Sequence, residues 1–235
     1  MFARRNLLGL TVGLLAVPAL PASAVGTYSQ GWRMGMLTKF SVKGIFRKTG
    51  EGELLLGNES GRLTRMVGTG DNRREEILNP WAFSCDAALF ERYRNLGGRT
   101  VAVRYRQETL NNPLAGDTSY RVEEMFPISP ELRPDGGCEL PGEHSARSDG
   151  FRVGRIVKAT SKGLVNDSWE MQMQVGASGN EFHEMSISDA GMFACATAHL
   201  RAGRMVTVNY SQTLFRNPLA RNTTYEVVGI VAAGL

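Results

Sequence analysis

Glu51 and Glu53 are the side chains whose spacing comes closest to acid–base chemistry, because residues two apart on a strand project to the same face. With Asp71 they are the residues from which a hydrolase using a strand carboxylate pair would be built. At the corresponding places of a second, similar half the chain has Glu170 and Gln172, so an acid pair occurs only once. A three-residue hairpin turn would set Arg33 opposite Glu53, and a cross-strand ion pair is then the simpler role for that carboxylate. His144, His183 and His199 are scattered, and His183-Glu184 lacks the second histidine of a helical zinc site. No two of Cys85, Cys138 and Cys195 have metal or redox spacing. There is no glycine-rich phosphate loop and no nucleophile elbow. These features predict a protein that is not an enzyme and uses no cofactor or metal.

Binding chemistry is better represented. Lys39 and Lys43, with counterparts Lys158 and Lys162, fall at a predicted hairpin tip. Gln107 and Asn112, with counterparts Gln212 and Asn217, flank a predicted loop between the last two strands of each half. Arg47, Lys48, Arg104 and Arg106, interleaved with aromatic residues, are the groups a single-stranded nucleic acid would use. The charge balance opposes that use. The chain carries 27 basic and 23 acidic residues, and two of the basic ones lie in an N-terminal leader, so the remainder has a net charge of only +2. Asn112-Pro113 and Gly44 also suit turns for backbone reasons alone, and lysines on a strand edge discourage strand addition.

The elements that must position these groups are duplicated. Gly31-Trp32-Arg33-Met34-Gly35, Lys39, Ser41 and Lys43-Gly44 recur 119 residues later as Gly150-Phe151-Arg152-Val153-Gly154, Lys158, Thr160 and Lys162-Gly163. Gly98-Arg99-Thr100-Val101 with Tyr105 and Gln107 recurs as Gly203-Arg204-Met205-Val206 with Tyr210 and Gln212, and Asn112-Pro113-Leu114-Ala115 as Asn217-Pro218-Leu219-Ala220.

Each copy reads as strand, strand, strand, helix, strand, strand. Trp32, Met34, Met36 and Phe40 alternate with Arg33, Lys39 and Ser41, which predicts a half-buried first strand with the apolar set inward. Gly35 and Gly154 suggest a bulge or a sharp coil of the strand, as a small barrel needs to close. A second strand is expected over Ile45 to Leu56 and Leu164 to Val175, and a third over Trp81 to Cys85 and Phe182 to Ser188. Asp86 and Asp189 then cap short helices, with Leu89, Tyr93 and Leu96 on one face of the first and Phe193, Thr197 and Leu200 on one face of the second. The final strands are Arg99 to Gln107 and Thr118 to Met125, matched by Arg204 to Gln212 and Thr223 to Ile230. This order predicts an all-β fold with short helices, made of two tandem five-stranded oligomer-binding (OB-like) barrels. An SH3-like barrel is the alternative, disfavoured by the helix before the fourth strand.

Residues 1–24 have the layout of a cleaved signal peptide: Arg4 and Arg5, an apolar run from Leu7 to Leu20, then Ala22-Ser23-Ala24. The arginine pair is compatible with either the general secretory or the twin-arginine route, and the run is too short to anchor the mature chain in a membrane. A periplasmic or secreted location is expected. The first copy is then assigned to residues 25–126, a Pro- and Gly-rich acidic linker to 127–149 and the second copy to 150–235. In an oxidising compartment three cysteines permit one internal disulfide. Cys85 is expected inward on its strand and Cys195 outward on its helix, so a disulfide, if one forms, is expected to join Cys138 to Cys195; three free thiols are the alternative.

The run Gly31-x-Arg33-x-Gly35, Lys39-Phe40-Ser41-Val42-Lys43-Gly44, Lys48-Thr49-Gly50-Glu51-Gly52-Glu53-Leu54 and Trp81-Ala82-Phe83-Ser84 resembles a family of short exported bacterial proteins of uncharacterised role. That family has tryptophan where Gly50 stands; the second copy has Trp169 there but departs at Met171 and Met173. The resemblance implies a small non-enzymatic domain with no catalytic residues to transfer. The expected function is a non-catalytic periplasmic binding or adaptor module that engages an envelope protein or polymer through the groove between the copies. Single-stranded nucleic-acid binding and carboxylate-pair hydrolysis are the alternatives.

Overall fold

A computed structural model describes residues 26–44, 47–57, 64–67, 74–77, 80–129, 137–141, 148–162, 168–175, 181–213 and 221–233. The leader Met1–Ala24, Asp71, Gly163 and the Asn217-Pro218 loop lie outside the described residues.

The first copy contains β1 (Thr27–Lys43), β2 (Thr49–Leu56), a small hairpin of β3 (Thr64–Val67) and β4 (Arg74–Ile77), β5 (Pro80–Asp86), α1 (Ala87–Tyr93), β6 (Thr100–Glu108) and β7 (Tyr120–Pro127). After β8 (Cys138–Glu139), the second copy contains β9 (Ser148–Lys162), β10 (Ser168–Val175), β11 (Glu181–Ile187), α2 (Ala190–Ala202), β12 (Met205–Gln212) and β13 (Tyr225–Ala232).

In the first copy β1 pairs with β2, β2 with β5, β5 in parallel with β7, β7 with β6, and β6 back with β1. The second copy repeats that closed ring through β9, β10, β11, β13 and β12. A first strand shared by both neighbours, a parallel third–fifth contact and a helix between strands three and four make each copy an oligomer-binding barrel. Closure works because the first strand is long and bends. Residues 27–36 of β1 pair with β6, and residues 35–43 pair with β2.

Gly35 lies where the two pairings overlap. A Cβ on Gly35 would sit 2.4 Å from the Leu55 carbonyl oxygen, and one on Gly154 would sit 2.0 Å from that of Gln174. The bulges themselves fall just downstream, at Thr38 and at its counterpart Val157. The glycines therefore permit close strand approach rather than forming the bulge. Both helices start as expected. Asp86 accepts from the Leu89 amide at 2.7 Å, Asp189 from the Met192 amide at 2.8 Å, and Gly203 ends α2 with φ 63°.

Three sequence expectations change. The hairpin after Lys43 is not a tight turn, since β2 resumes only at Thr49; this places Glu53 opposite Lys39, not Arg33. The apolar alternation of β1 also faces the other way at its N-terminal end. Arg33 lies over the rings of Trp81, Tyr105 and Tyr120, 4.7 Å from the Trp81 centroid. Met34 and Trp32 instead join the core of the second barrel, together with Ala102. Finally, Cys195 is buried, not outward: it lies on the face of α2 that carries Met192, Ala196 and Leu200 into the core, and there it is disulfide-bonded to Cys138 of β8.

The barrels are joined by strand pairing. Residues Ser29 to Arg33 of β1 pair antiparallel with Lys162 to Lys158 of β9, making one continuous sheet across the copies.

Candidate binding groove and carboxylate locks

Glu51 is buried, and its carboxylate is fully engaged. Oε2 accepts from the Ser84 hydroxyl at 2.7 Å, Oε1 accepts from the Thr49 hydroxyl at 2.8 Å, and the Asp117 amide approaches at 3.3 Å. The Ser84 hydroxyl in turn accepts from the Thr118 amide at 3.1 Å. The second copy repeats the device: Glu170 accepts from the Ser186 hydroxyl at 2.9 Å and the Asn222 amide at 2.9 Å, and Ser186 accepts from the Thr223 amide at 3.2 Å. A carboxylate on the second strand and a serine on the third thus hold down the loop before the fifth strand. Burial pushes the Glu170 carboxyl above its ordinary range, opposed by the Asn222 and Ser186 hydrogen bonds. The serines escaped the sequence reading, because the spacing between copies drops where the β3–β4 hairpin is inserted.

Gln107 and Gln212 have matching structural roles. Each Oε1 accepts from the hydroxyl of the first strand, Ser29 at 2.9 Å and Ser148 at 3.1 Å. Lys158 is buried beside Glu184 at 3.2 Å, Lys162 pairs across the seam with Ser29, and Lys39 is exposed on β1.

The remaining candidates converge. Lys43 forms an exposed 2.6 Å ion pair with Asp117, which raises its pKa and brings the hairpin tip to the loop between β6 and β7. Arg47, Lys48 and Asn112 line a 480 Å³ cavity with Arg104, Arg106 and Arg121. Arg121, unmarked in the sequence, is buried; it donates to Glu108 at 3.2 Å, to the Ala115 carbonyl at 2.7 Å and to the Asn112 carbonyl at 3.1 Å, and so shapes one wall. Arg104 and Arg106 are half-exposed and shared among Glu123, Glu124 and Glu108.

A second cavity of 420 Å³ opens at the seam, lined by Gln30, Trp32, Tyr105, Trp169 and Phe193, with Arg104 and Glu123 again in its wall. Trp169 and Phe193 stack with centroids 6.0 Å apart. Arg104 and Glu123 border both cavities, so the basic hollow of the first barrel adjoins the aromatic cleft between the barrels. Among the described residues no group of His, Cys, Asp and Glu could hold a metal ion, and no helix is long and apolar enough to cross a membrane.

Residues 26–131 match a family model described as a domain of unknown function, DUF8785. No curated protein matches the sequence. Among solved structures the chain is similar to the wild-type single-stranded DNA binding protein from Thermus aquaticus, at 14% identity and TM-score 0.28, over 89% of this chain and 94% of that one. A deletion mutant of the same protein (delta 228-252 R190A) is similar at 14% identity and TM-score 0.28, over 90% and 97%. A Replication Protein A heterotrimer bound to ssDNA is similar at 10% identity and TM-score 0.24, over 92% of this chain and 52% of that one.

Proposed function

We propose that the protein is a non-catalytic binding module whose ligand is a single-stranded nucleic acid, laid along the groove from Arg47 and Lys48, past Arg104, to Trp32 and Trp169. The observation that carries this reading is the shared wall of Arg104 and Glu123, which sets the cationic hollow beside the aromatic cleft. Backbone phosphates would be met by Arg47, Lys48, Arg104 and Arg106, and bases by the indole and phenyl faces at the seam. The carboxylates now paired with Arg104 and Arg106 form half-exposed ion pairs, which contribute little and exchange readily for a phosphate. The saturated, buried Glu51 argues against its use as a base or nucleophile. The leader Met1–Ala24 supports a location outside the cytoplasm.

The near-neutral charge of the mature chain favours a second reading, an envelope protein or weakly charged polymer in the same groove. Fluorescence anisotropy with a labelled oligothymidylate over a salt series separates the two. Nucleic-acid binding predicts affinity that falls with salt and drops about tenfold or more in an Arg104→Ala, Arg106→Ala variant. No oligonucleotide binding at low salt would remove the first reading and leave the second.

A further inference from the structure

The seam between the copies is heterologous: the N-terminal half of the first copy's strand one lies on the C-terminal half of the second copy's strand one. Since both copies carry both halves, this use leaves one of each. Among the described residues, 39–43 of β1 pair only with β2, and 148–152 of β9 pair only with β12. We propose that these two open edges pair with each other between molecules, so that the protein assembles head to tail through a repeat of its own internal seam, with a second copy of this chain as the partner. The proposal does not depend on the ligand reading.

The register follows from the duplication. Inside the chain Ser29 faces Lys162 and Arg33 faces Lys158. Carried over by the 119-residue repeat, Ser148 would face Lys43 of the next molecule, Gly150 would face Ser41 and Arg152 would face Lys39.

Burial shows what each edge lacks. Trp32 and Met34 are covered by the second barrel, with Arg201 5.1 Å over the Trp32 ring and Met34 fully buried. Their counterparts Phe151 and Val153 have no third barrel to enter, and Phe151 is 68% exposed. On the receiving side Lys158 to Ser161 are buried, whereas their counterparts Lys39 and Val42 are exposed and Phe40 and Ser41 half-buried. Lysines at this edge do not prevent strand addition, since Lys158 and Lys162 occupy the same places on the edge that receives β1.

The small chemistry of the seam is also preserved. Gly31 allows the backbones to meet, as a Cβ there would lie 2.1 Å from the Ala159 carbonyl oxygen, and Gly150 keeps that glycine. The Tyr105 hydroxyl bonds Thr160 across the seam at 2.8 Å; the equivalent pair between molecules is Tyr210 and Ser41, again two hydroxyls. Two complementary surfaces at opposite ends of a chain generate a ring or an open filament, not an isolated two-fold dimer.

The test uses the full-length protein as processed by an exporting host. Two single variants are prepared, Val42→Cys and Asp149→Cys, whose positions would be direct cross-strand partners at a spacing suited to a disulfide. Head-to-tail pairing predicts a disulfide-linked dimer when the two are mixed under mild oxidant and none from either alone. Light scattering should show a mass rising with concentration, and Phe151→Lys should weaken association by about tenfold or more, as loss of an interface anchor does. Because Phe151 is exposed, that variant should keep the parent's circular dichroism and melting profile. A single-chain mass at all concentrations together with no mixed cross-link, or cross-linking of either variant with itself, overturns the proposal.

Discussion

The hydroxyl of Tyr105, on β6 of the first barrel, lies 2.8 Å from that of Thr160, on β9 of the second, and both side chains are buried. This contact makes the seam specific as well as apolar, since either hydroxyl left alone there would be desolvated without a partner. Tyr105→Phe should destabilise the protein by about 1–2 kcal/mol in urea denaturation, and Thr160→Val by a similar amount. The double variant should lose clearly less than the sum of the two. Full additivity would show that the hydroxyls do not depend on one another.

The Glu–Ser locks predict a symmetric effect. Ser84→Ala removes a donor from Glu51 and an acceptor from the Thr118 amide, and Ser186→Ala does the same to Glu170 and Thr223. Each should cost about 1–3 kcal/mol. Hydrogen exchange should accelerate at Asp117 and Thr118 in the first variant and at Asn222 and Thr223 in the second. Exchange spread evenly over the barrel would argue against a loop-holding role.

Cys85 is buried beside Asp86 and Glu51, and burial first, then those charges, pushes its thiol up to about 12. It should therefore resist thiol reagents in the native protein. Unfolding without reductant should expose one thiol per chain, and reductant should expose three. Cys138→Ser should lower stability by about 2–4 kcal/mol, because the cross-link closes a long loop in the unfolded chain.

His199 is buried on α2 with neither ring nitrogen hydrogen-bonded, and burial followed by the nearby Arg204 lowers its pKa below the ordinary 6.5. His183 is lowered as well, by burial and Arg152. A depressed folded-state pKa means the unfolded chain takes up the proton first. Stability from these groups is present above about 6.5 and is lost as the pH falls through the folded values. Melting temperature should drop between neutral and mildly acid pH, and His199→Leu should flatten that drop. An unchanged acid slope would place its cause elsewhere.

The order of the five barrel strands and the helix was legible because duplication checked those assignments twice and each helix carries its own aspartate cap, whereas the β3–β4 hairpin and β8 were not anticipated. Asn112 could be nominated because loop position follows from that order, whereas Arg47 and Lys48 were nominated for their charge and lie before β2, not within it. The reversed facing of β1 was not legible. Alternation of Trp32, Met34 and Arg33 shows that a strand has two faces, but choosing the inner one needs the neighbour, and here the apolar face belongs to the other barrel. The burial of Cys195 was not legible either, because the core face of α2 carries Met192 and Ala196, while Phe193 turns to Trp169 at the seam. Ser84 and Arg121 gave no sequence signal, since their roles arise from loops folded back onto the barrel.

Met34 and Ala102 complete the core of a barrel to which they do not belong in chain order. The two copies are therefore no longer interchangeable parts. Within one chain the first copy serves as the plug and the second as the socket, and exchanging their order along the chain would put Phe151 where Trp32 should enter. The barrels should melt as one unit, with no temperature at which the second stands folded while the first is lost. A lone second copy would carry a hole where those two side chains had been.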